Sequence, residues 1–576
     1  MQRVKTDILI LGSGGAGLFA ALHAHKAAPA ARITIATKGL IGKCGCTRMV
    51  QGGYNVSLIP GDSVERHFMD TIVGGAWLPN QDLAWRLVAT APERVRELEN
   101  EIGCFFDRNP DGSLHGKAFA GQTFDRTVHK GDLTGIEIIN RLMEQVWARR
   151  IERLEEHRAV ALVKDRSGTA LAGVLMIDIR TGAMLLVEAR AVLLATGGGP
   201  TMYRYHTPSG DKSMDGLAMA LRAGLPLRDM EMVQFHPTGL LAGKGTRMTG
   251  TVLEEGLRGA GGHLLNGQGE RFMLARSERG ERATRDFISQ CIYDEMRRGN
   301  TTPNGGVYIK MAHLGPEKVA KQFKGMVERC ADCGFDLAGG LVEVVPTAHY
   351  FMGGLVCDID TGTGLAGLFV AGEDAGGMHG ANRLGGNGVA NSTVFGGIAG
   401  DVMADFIAKT PHWREPDMEA VAAEAARALH PFGKPAGDLN ALRERLMDLM
   451  WDDVGVIRSA AGMTRALGEL DSIEAELLGT GVATSERAFN LTWHDWLNLR
   501  SLVEISRVVT LAALERQDSR GAHFREDFPK AGDLATSTYT LSQLVDGRLS
   551  IASAPVDFTR VKPGDTLLKD APAAAE

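Results

Sequence analysis

Asp7-Ile-Leu-Ile-Leu-Gly-Ser-Gly-Gly-Ala-Gly17 is the stretch that decides the fold. A short apolar run ends in the spacing GxGxxG, and a helical run follows from Leu18 to about Ala28. Arg32-Ile-Thr-Ile-Ala-Thr37 reads as a second strand and completes a βαβ unit. In that context Gly12, Gly14, Gly15, Ala16 and Gly17 allow a tight turn. They let a pyrophosphate sit on the helix N-terminus, where free N–H groups and the helix dipole favour anions. An acid commonly ends the second strand of NAD-binding units; Thr37-Lys38 stands there instead.

Ala191-Val-Leu-Leu-Ala-Thr-Gly-Gly-Gly199 reads as a third strand running into a glycine turn. Gly367-Leu-Phe-Val-Ala-Gly-Glu373 repeats the pattern and ends in an acid able to bind a ribose or ribityl hydroxyl. The expected fold is α/β. A Rossmann-like dinucleotide domain is built from residues 1–240 and 345–405, with an inserted α+β capping domain over 241–344. Amphipathic runs such as Asp438–Met450 and His494–Arg516 predict a C-terminal helical domain over 410–540. Residues 541–576 read as an extension, with the tail after about 550 extended and partly mobile.

A net charge of -7 in 576 residues, with 23% charged side chains, lacks the basic excess that nucleic-acid binding needs. No apolar run reaches the roughly 20 residues of a membrane helix, so no direct membrane insertion is expected. Met1-Gln-Arg-Val-Lys leads straight into a strand, leaving no room for a signal peptide. A cytoplasmic protein with its seven cysteines reduced is the expectation. Cys330-Ala-Asp-Cys333 supplies too few ligands for a zinc or iron–sulfur site, so no metal is assigned.

The candidate chemistry lies elsewhere. His379-Gly-Ala-Asn-Arg-Leu-Gly-Gly-Asn387 sets one permanent cation, Arg383, among glycines. Gln234-Phe-His-Pro-Thr-Gly239, Leu253-Glu-Glu-Gly-Leu-Arg258, Thr284-Arg-Asp286 and Pro346-Thr-Ala-His349 flank or fall within the inserted segment. Together they offer arginines and histidines able to converge on one anion. Singly, such a histidine is more often a core residue, and such an arginine an ion-pair residue.

As an ordered set, from Asp7 to about Asp527, these motifs resemble the flavoprotein subunits of succinate dehydrogenase and fumarate reductase, a family that also holds L-aspartate oxidase. The resemblance implies FAD as cofactor and Arg285 as the residue passing a proton to or from the substrate carbon, with Glu255 and Arg258 as its relay. It implies that His236, His349 and Arg383 grip substrate carboxylates, with Phe119 over the substrate. For the flavin nucleotide it implies the Gly12–Gly17 turn, Thr37, Lys38, Gly45, Cys46, Thr47, Gln51, Gly52, Gly53, Ala159, Thr196, Gly197, Asp215, Glu373, Arg383, Gly388 and Val389.

Three departures modify that picture. Cys46 stands where the family carries a flavin-linked histidine, five residues before Gln51-Gly-Gly53, so FAD is expected to be non-covalent. Glu254 replaces a carboxylate-binding threonine and would repel a substrate carboxylate unless it points away; an amine, amide, hydroxyl or ring would fit better at that end. Gly388-Val-Ala-Asn391 replaces Ser-Leu-Leu and an acid beside the flavin. The implied function is an FAD-dependent oxidoreductase of a CH–CH/C=C bond next to a carboxylate, fumarate- or succinate-like. Two alternatives stand beside it. One is an L-aspartate oxidase-like activity. The other is a flavoprotein that works only with an iron–sulfur or other electron-transfer partner, which could hold it peripherally at the inner membrane.

Overall fold

The computed structural model describes residues 1–210, 212–243 and 245–568. The opening unit forms as its sequence dictates: strand β1 (Gln2–Leu11), helix α1 (Gly15–Ala27) and strand β2 (Ile33–Ala36). β1 pairs in parallel with β2 on one side and with β3 (Met184–Leu194) on the other. Ile8, Leu9 and Ile10 are wholly buried, as a central strand covered on both faces requires. β4 (Val233–Leu240) and, beyond helix α2 (Arg285–Arg297), β5 (Leu341–Phe351) belong to a second, four-stranded sheet. The chain then returns to the first sheet. β6 (Leu368–Val370) pairs in parallel with Val192–Leu194 of β3, so residues from both distant segments share one sheet.

Helix α3 (Asn387–Lys409) follows and packs on α1 at backbone distance. A Cβ added to Gly396 would stand 2.6 Å from the Ala16 carbonyl oxygen, and one at Gly400 would stand 2.4 Å from that of Ala20. Only glycine permits that approach. It sets the third turn of α3 beside the first turn of α1, and the N-termini of both helices line one cleft.

Four helices over Met418–Leu429, Leu439–Asp453, Ala460–Gly479 and Leu491–Glu515 make the helical part. Asp417, Asp438, Ser459 and Asn490 cap them, each side chain accepting a backbone N–H of the first turn. The extended tail expected after about residue 550 is corrected by the structure. The last of these helices ends at Glu515, and β7 (Thr538–Val545) and β8 (Arg548–Pro555) form an antiparallel hairpin. Asp546 and Gly547 both take positive φ, 49° and 75°, the conformation a two-residue hairpin loop needs. β7 pairs with Leu227–Arg228, and Gln81 exchanges hydrogen bonds with the backbone of buried Val561. Residues 569–576 of the expected tail lie outside the described residues.

Glu231, just before β4, ties these parts together. It is wholly buried, pairs with Arg516 Nε at 2.6 Å and accepts from Thr540 Oγ1 at 2.7 Å. Its backbone carbonyl accepts from Arg458 at 2.8 Å. Removing one member of a buried pair strands the other charge. Arg516→Met is expected to lower unfolding stability by about 3–5 kcal/mol in a denaturant titration. The double variant Glu231→Gln/Arg516→Met should lose clearly less than that; a double variant as unstable as the single would refute this role.

Candidate active site

The nucleotide half of the cleft is floored by backbone. Gly12 takes φ 113°, and a Cβ there would stand 2.0 Å from the Ala195 carbonyl oxygen. Gly14 looks into open cleft, with Thr47 Oγ1 at 3.6 Å as the nearest atom to an added Cβ, and Thr47 Oγ1 accepts from Gly15 N at 3.1 Å. Beside Thr196, Gly197 meets nothing within 4 Å. A wall of bare backbone beginning at a helix N-terminus fits the flat, anionic body of a flavin dinucleotide.

Nearly all the nucleotide residues expected from the sequence line this cleft. Gly17 and Gly45 do not. A Cβ on Gly17 would stand 2.0 Å from the Gly12 oxygen, so its job is close packing of α1 on the turn. Gly45 takes φ 93° and leads into the Cys46–Met49 turn. Lys38 and Asp215 meet each other: Lys38 Nζ lies 2.7 Å from Asp215 Oδ2, and Arg158 lies 2.7 Å from Oδ1. These cations outweigh burial and hold the Asp215 carboxyl well below its usual range. Glu373 accepts from Phe351 N at 3.0 Å, and burial pushes its carboxyl up to about 7.

At the other end the chain gathers its charged groups. Arg285 opens α2, where the positive helix end opposes its charge, and Glu255 compensates. Glu255 Oε2 accepts from Arg285 Nε at 3.0 Å and Nη2 at 2.5 Å, while Oε1 lies 3.4 Å from Arg258 Nη2. Burial raises the Glu255 carboxyl, but Arg285 and Arg258 outweigh it and hold it below its ordinary value. Arg258 itself stands behind the cleft wall, donating to the Glu281 carbonyl at 3.1 Å. Arg383 stacks over the Tyr350 ring at 4.3 Å. Burial and then Arg285 push its guanidinium down to about 10, so it remains a cation at neutral pH.

His236 and His349 stand ring to ring at 5.5 Å on β4 and β5. Irregular register at Gln234/Phe235 and His236/Gly239 breaks the strand alternation here, as bulges do beside many sites. Burial, and after it Arg285 for His236 and Arg383 for His349, keeps both imidazoles neutral. His236 Nδ1 accepts from Thr238 N at 3.3 Å, leaving Nε2 as the donor. Phe119 is wedged between Gly52 and Gly385, its ring carbons 2.5 and 2.6 Å from where their Cβ atoms would be. That puts it between the Gln51–Gly53 turn and the Arg383 loop.

Glu254 lines the same cleft but pairs with Lys117 and not with Arg285, Arg258 or Arg383. Its Oε2 lies 3.6 Å from Lys117 Nζ, and the other charges that act on it are Asp132 and Arg329. Burial pushes its carboxyl up, with Lys117 opposing. Two residues that sequence reasoning left without a role also belong here. Gln234 receives hydrogen bonds from both Arg285 and Arg383, and Tyr350 carries the Arg383 guanidinium on its face. Gln234 stands two places before His236 on the same strand, a spacing that could have flagged it.

Glu373 gives a pH test. Its folded pKa lies above the ordinary 4.5, so the protonated form is the one the fold favours. Stability is therefore lost as pH rises from about 4.5 through about 7. In flavin-free protein, Glu373→Gln should gain on the order of 3 kcal/mol over the parent between about pH 5 and pH 8. A difference that does not change with pH would count against the half-buried, protonated carboxyl.

The FAD binding domain family matches residues 7–389, and the fumarate reductase flavoprotein C-terminal family matches residues 443–567. An FAD-dependent oxidoreductase of Methanocaldococcus jannaschii is 41% identical over 92% of this chain and 94% of its own. A fumarate reductase (CoM/CoB) subunit of Methanothermobacter marburgensis is 39% identical over 91% of this chain and 95% of its own. Among solved structures, a variant of the FrdA chain of E. coli quinol fumarate reductase superposes with a TM-score of 0.92. It is 32% identical and covers 98% of this chain and 99% of that one. With the backbone-floored cleft and its arginine-lined end, these matches establish that the chain belongs to the fumarate reductase/succinate dehydrogenase flavoprotein family of FAD-dependent oxidoreductases acting on CH–CH bonds.

Proposed function

We propose that this flavoprotein interconverts a C=C and a CH–CH bond in a small dicarboxylate of the fumarate/succinate kind. The observation that carries this reading is the charge of the buried site. Three guanidiniums, those of Arg258, Arg285 and Arg383, face one carboxylate, Glu255, which leaves two positive charges for a ligand. Two neutral imidazoles flank them as hydrogen-bonding groups. A dianion completes that balance. Glu254 also lines the cleft, and its pairing with Lys117 offsets the repulsion expected from the sequence.

FAD supplies hydride transfer at the flavin ring when bound. The chain supplies the rest. Arg383, with His349 beside it, grips one carboxylate; His236 donates from Nε2 to the other end. Arg285 holds a proton on a guanidinium nitrogen facing the cleft and passes it to the substrate carbon. Glu255, bonded to both Arg285 and Arg258, returns a proton to Arg285. Phe119 covers the reacting carbons and keeps water away. FAD is held without a covalent bond, with Cys46 lining the flavin end of the cleft.

Electrons reach this chain from elsewhere. None of the seven cysteines forms a disulfide, and no group of three or more metal-binding side chains occurs among the described residues. An iron–sulfur or comparable electron-transfer protein is the proposed partner, in line with relatives named as subunits. Among the described residues no helix is long and apolar enough to cross a membrane, so membrane attachment would come through that partner.

Fumarate should be reduced with reduced viologen as donor, while L-aspartate in air should release little peroxide; the opposite pattern would replace this reading with an amino-acid oxidase. Arg285→Lys should keep the flavin spectrum and lose about 10²–10⁴-fold in kcat. Ordinary turnover in that variant removes Arg285 from the chemistry. Acid precipitation should leave yellow flavin in the supernatant, and flavin in the pellet would mean a covalent bond.

A further inference from the structure

Gln234 has no part in the proton relay or the carboxylate grip, yet every polar atom of its side chain is committed. Its Oε1 accepts from Arg285 Nη1 and from Arg383 Nη2, each at 3.2 Å. Its Nε2 donates to Asn382 Oδ1 at 2.8 Å and to the Arg383 carbonyl at 2.7 Å. Asn382 in turn donates to Asp286 Oδ1 at 3.2 Å, and Asp286 follows Arg285 in the first turn of α2. The side chains thus close a ring that joins the start of α2 to the Arg383 loop through β4. Gln234 is wholly buried.

The orientation of the amide is fixed by its partners. Turned over, its NH₂ would face two guanidiniums, which offer no acceptor, and its oxygen would face two more oxygens. A neutral acceptor is also what the charges require. Arg285 and Arg383 repel each other, and Arg285 is the largest electrostatic influence lowering the Arg383 guanidinium. A carboxylate between them would hold them together but would cancel one of the two positive charges left for a ligand. A hydrocarbon side chain would preserve the charge and leave both guanidiniums without their shared acceptor.

We infer that Gln234 is a positioning residue. Its carboxamide oxygen fixes the proton carrier and the anion grip relative to each other and leaves their charge available to the substrate. This rests on the dicarboxylate reading above and adds a division of labour to it. Arg383 fixes where the substrate sits, Arg285 must reach one carbon of it, and Gln234 sets the offset between them. Asn382 and Asp286 support the amide from behind.

The test uses FAD-loaded protein and two substitutions with opposite signatures. Gln234→Met removes the acceptor without adding charge. It should lower kcat for fumarate on the order of 10²-fold, because the donor is misplaced, and change KM much less. Gln234→Glu keeps the acceptor and the shape, replaces the Nε2 donor with an oxygen facing Asn382 Oδ1 and the Arg383 carbonyl, and adds a negative charge. It should raise KM for fumarate and the Kd for malonate, read from the flavin spectrum, by at least about tenfold near neutral pH. Malonate affinity in that variant should recover as pH falls and the new carboxyl is protonated, a trend absent from the parent.

Both variants should keep their flavin. The inference is overturned if Gln234→Glu, nearly isosteric, binds malonate within about twofold of the parent at neutral pH. It is also overturned if Gln234→Met folds, holds flavin and shows an unchanged kcat, or if both variants lose kcat and affinity together with no pH dependence. Malonate binding needs no turnover. A parent protein that binds malonate but fails to reduce fumarate would refute the proposed reaction while leaving the Gln234 test intact.

Discussion

Concentrating like charge in a buried place is the constraint on which this structure turns. Arg258, Arg285 and Arg383 sit in one region of the interior with Glu255 as their carboxylate partner. Left to themselves such groups would drive apart or draw in water. The fold opposes this with acceptors that carry no full charge: the Gln234 amide, the Glu281 carbonyl and the face of Tyr350. Those acceptors come from β4, a loop and β5, while the arginines come from three other places in the chain. The site is therefore stable only when all those elements are packed, and it stays short of anions until a ligand brings them.

The same economy appears in the nucleotide half, where closeness of backbone replaces side-chain chemistry. Gly12 and Gly17 bring α1 against its own turn, and Gly396 and Gly400 bring α3 against α1. Two helix N-termini then line one cleft, one at Gly14 and Gly15 and the other at Gly388 and Val389, where free N–H groups favour anions. Charged side chains nearby are largely engaged with one another, as Lys38 and Arg158 are with Asp215. Anion binding here can rest on N–H groups, which carry no net charge and need little desolvation.

Much of the fold was legible because its signals are local. The βαβ unit follows from an apolar run, a GxGxxG spacing and a second apolar run. The helical segment follows from amphipathic runs, and its caps at Asp417, Asp438, Ser459 and Asn490 are residue types that favour such positions. The C-terminal hairpin carried a local signal as well. Asp546-Gly547 between two alternating runs is a strong turn signature, but proline and alanine near the end of the chain drew the reading toward an extended tail. Non-local features were harder. Glu254 and Glu255 are neighbours in sequence with opposite surroundings, one facing Lys117 and the other facing Arg285.

By itself the sequence determined which chemical groups the chain owns and how each local segment folds: where β1 and α1 meet, where glycine must stand, and that Arg285, Glu255, His236, His349 and Arg383 form an ordered set. Only the tertiary structure decided their mutual orientation. It paired Glu254 with Lys117, placed Arg258 behind the cleft wall and set the Gln234 oxygen between two guanidiniums. Local propensity depends on residues a few places apart. The direction of a buried charge depends on every partner within a few ångströms, and here those partners lie tens to hundreds of residues away in the chain.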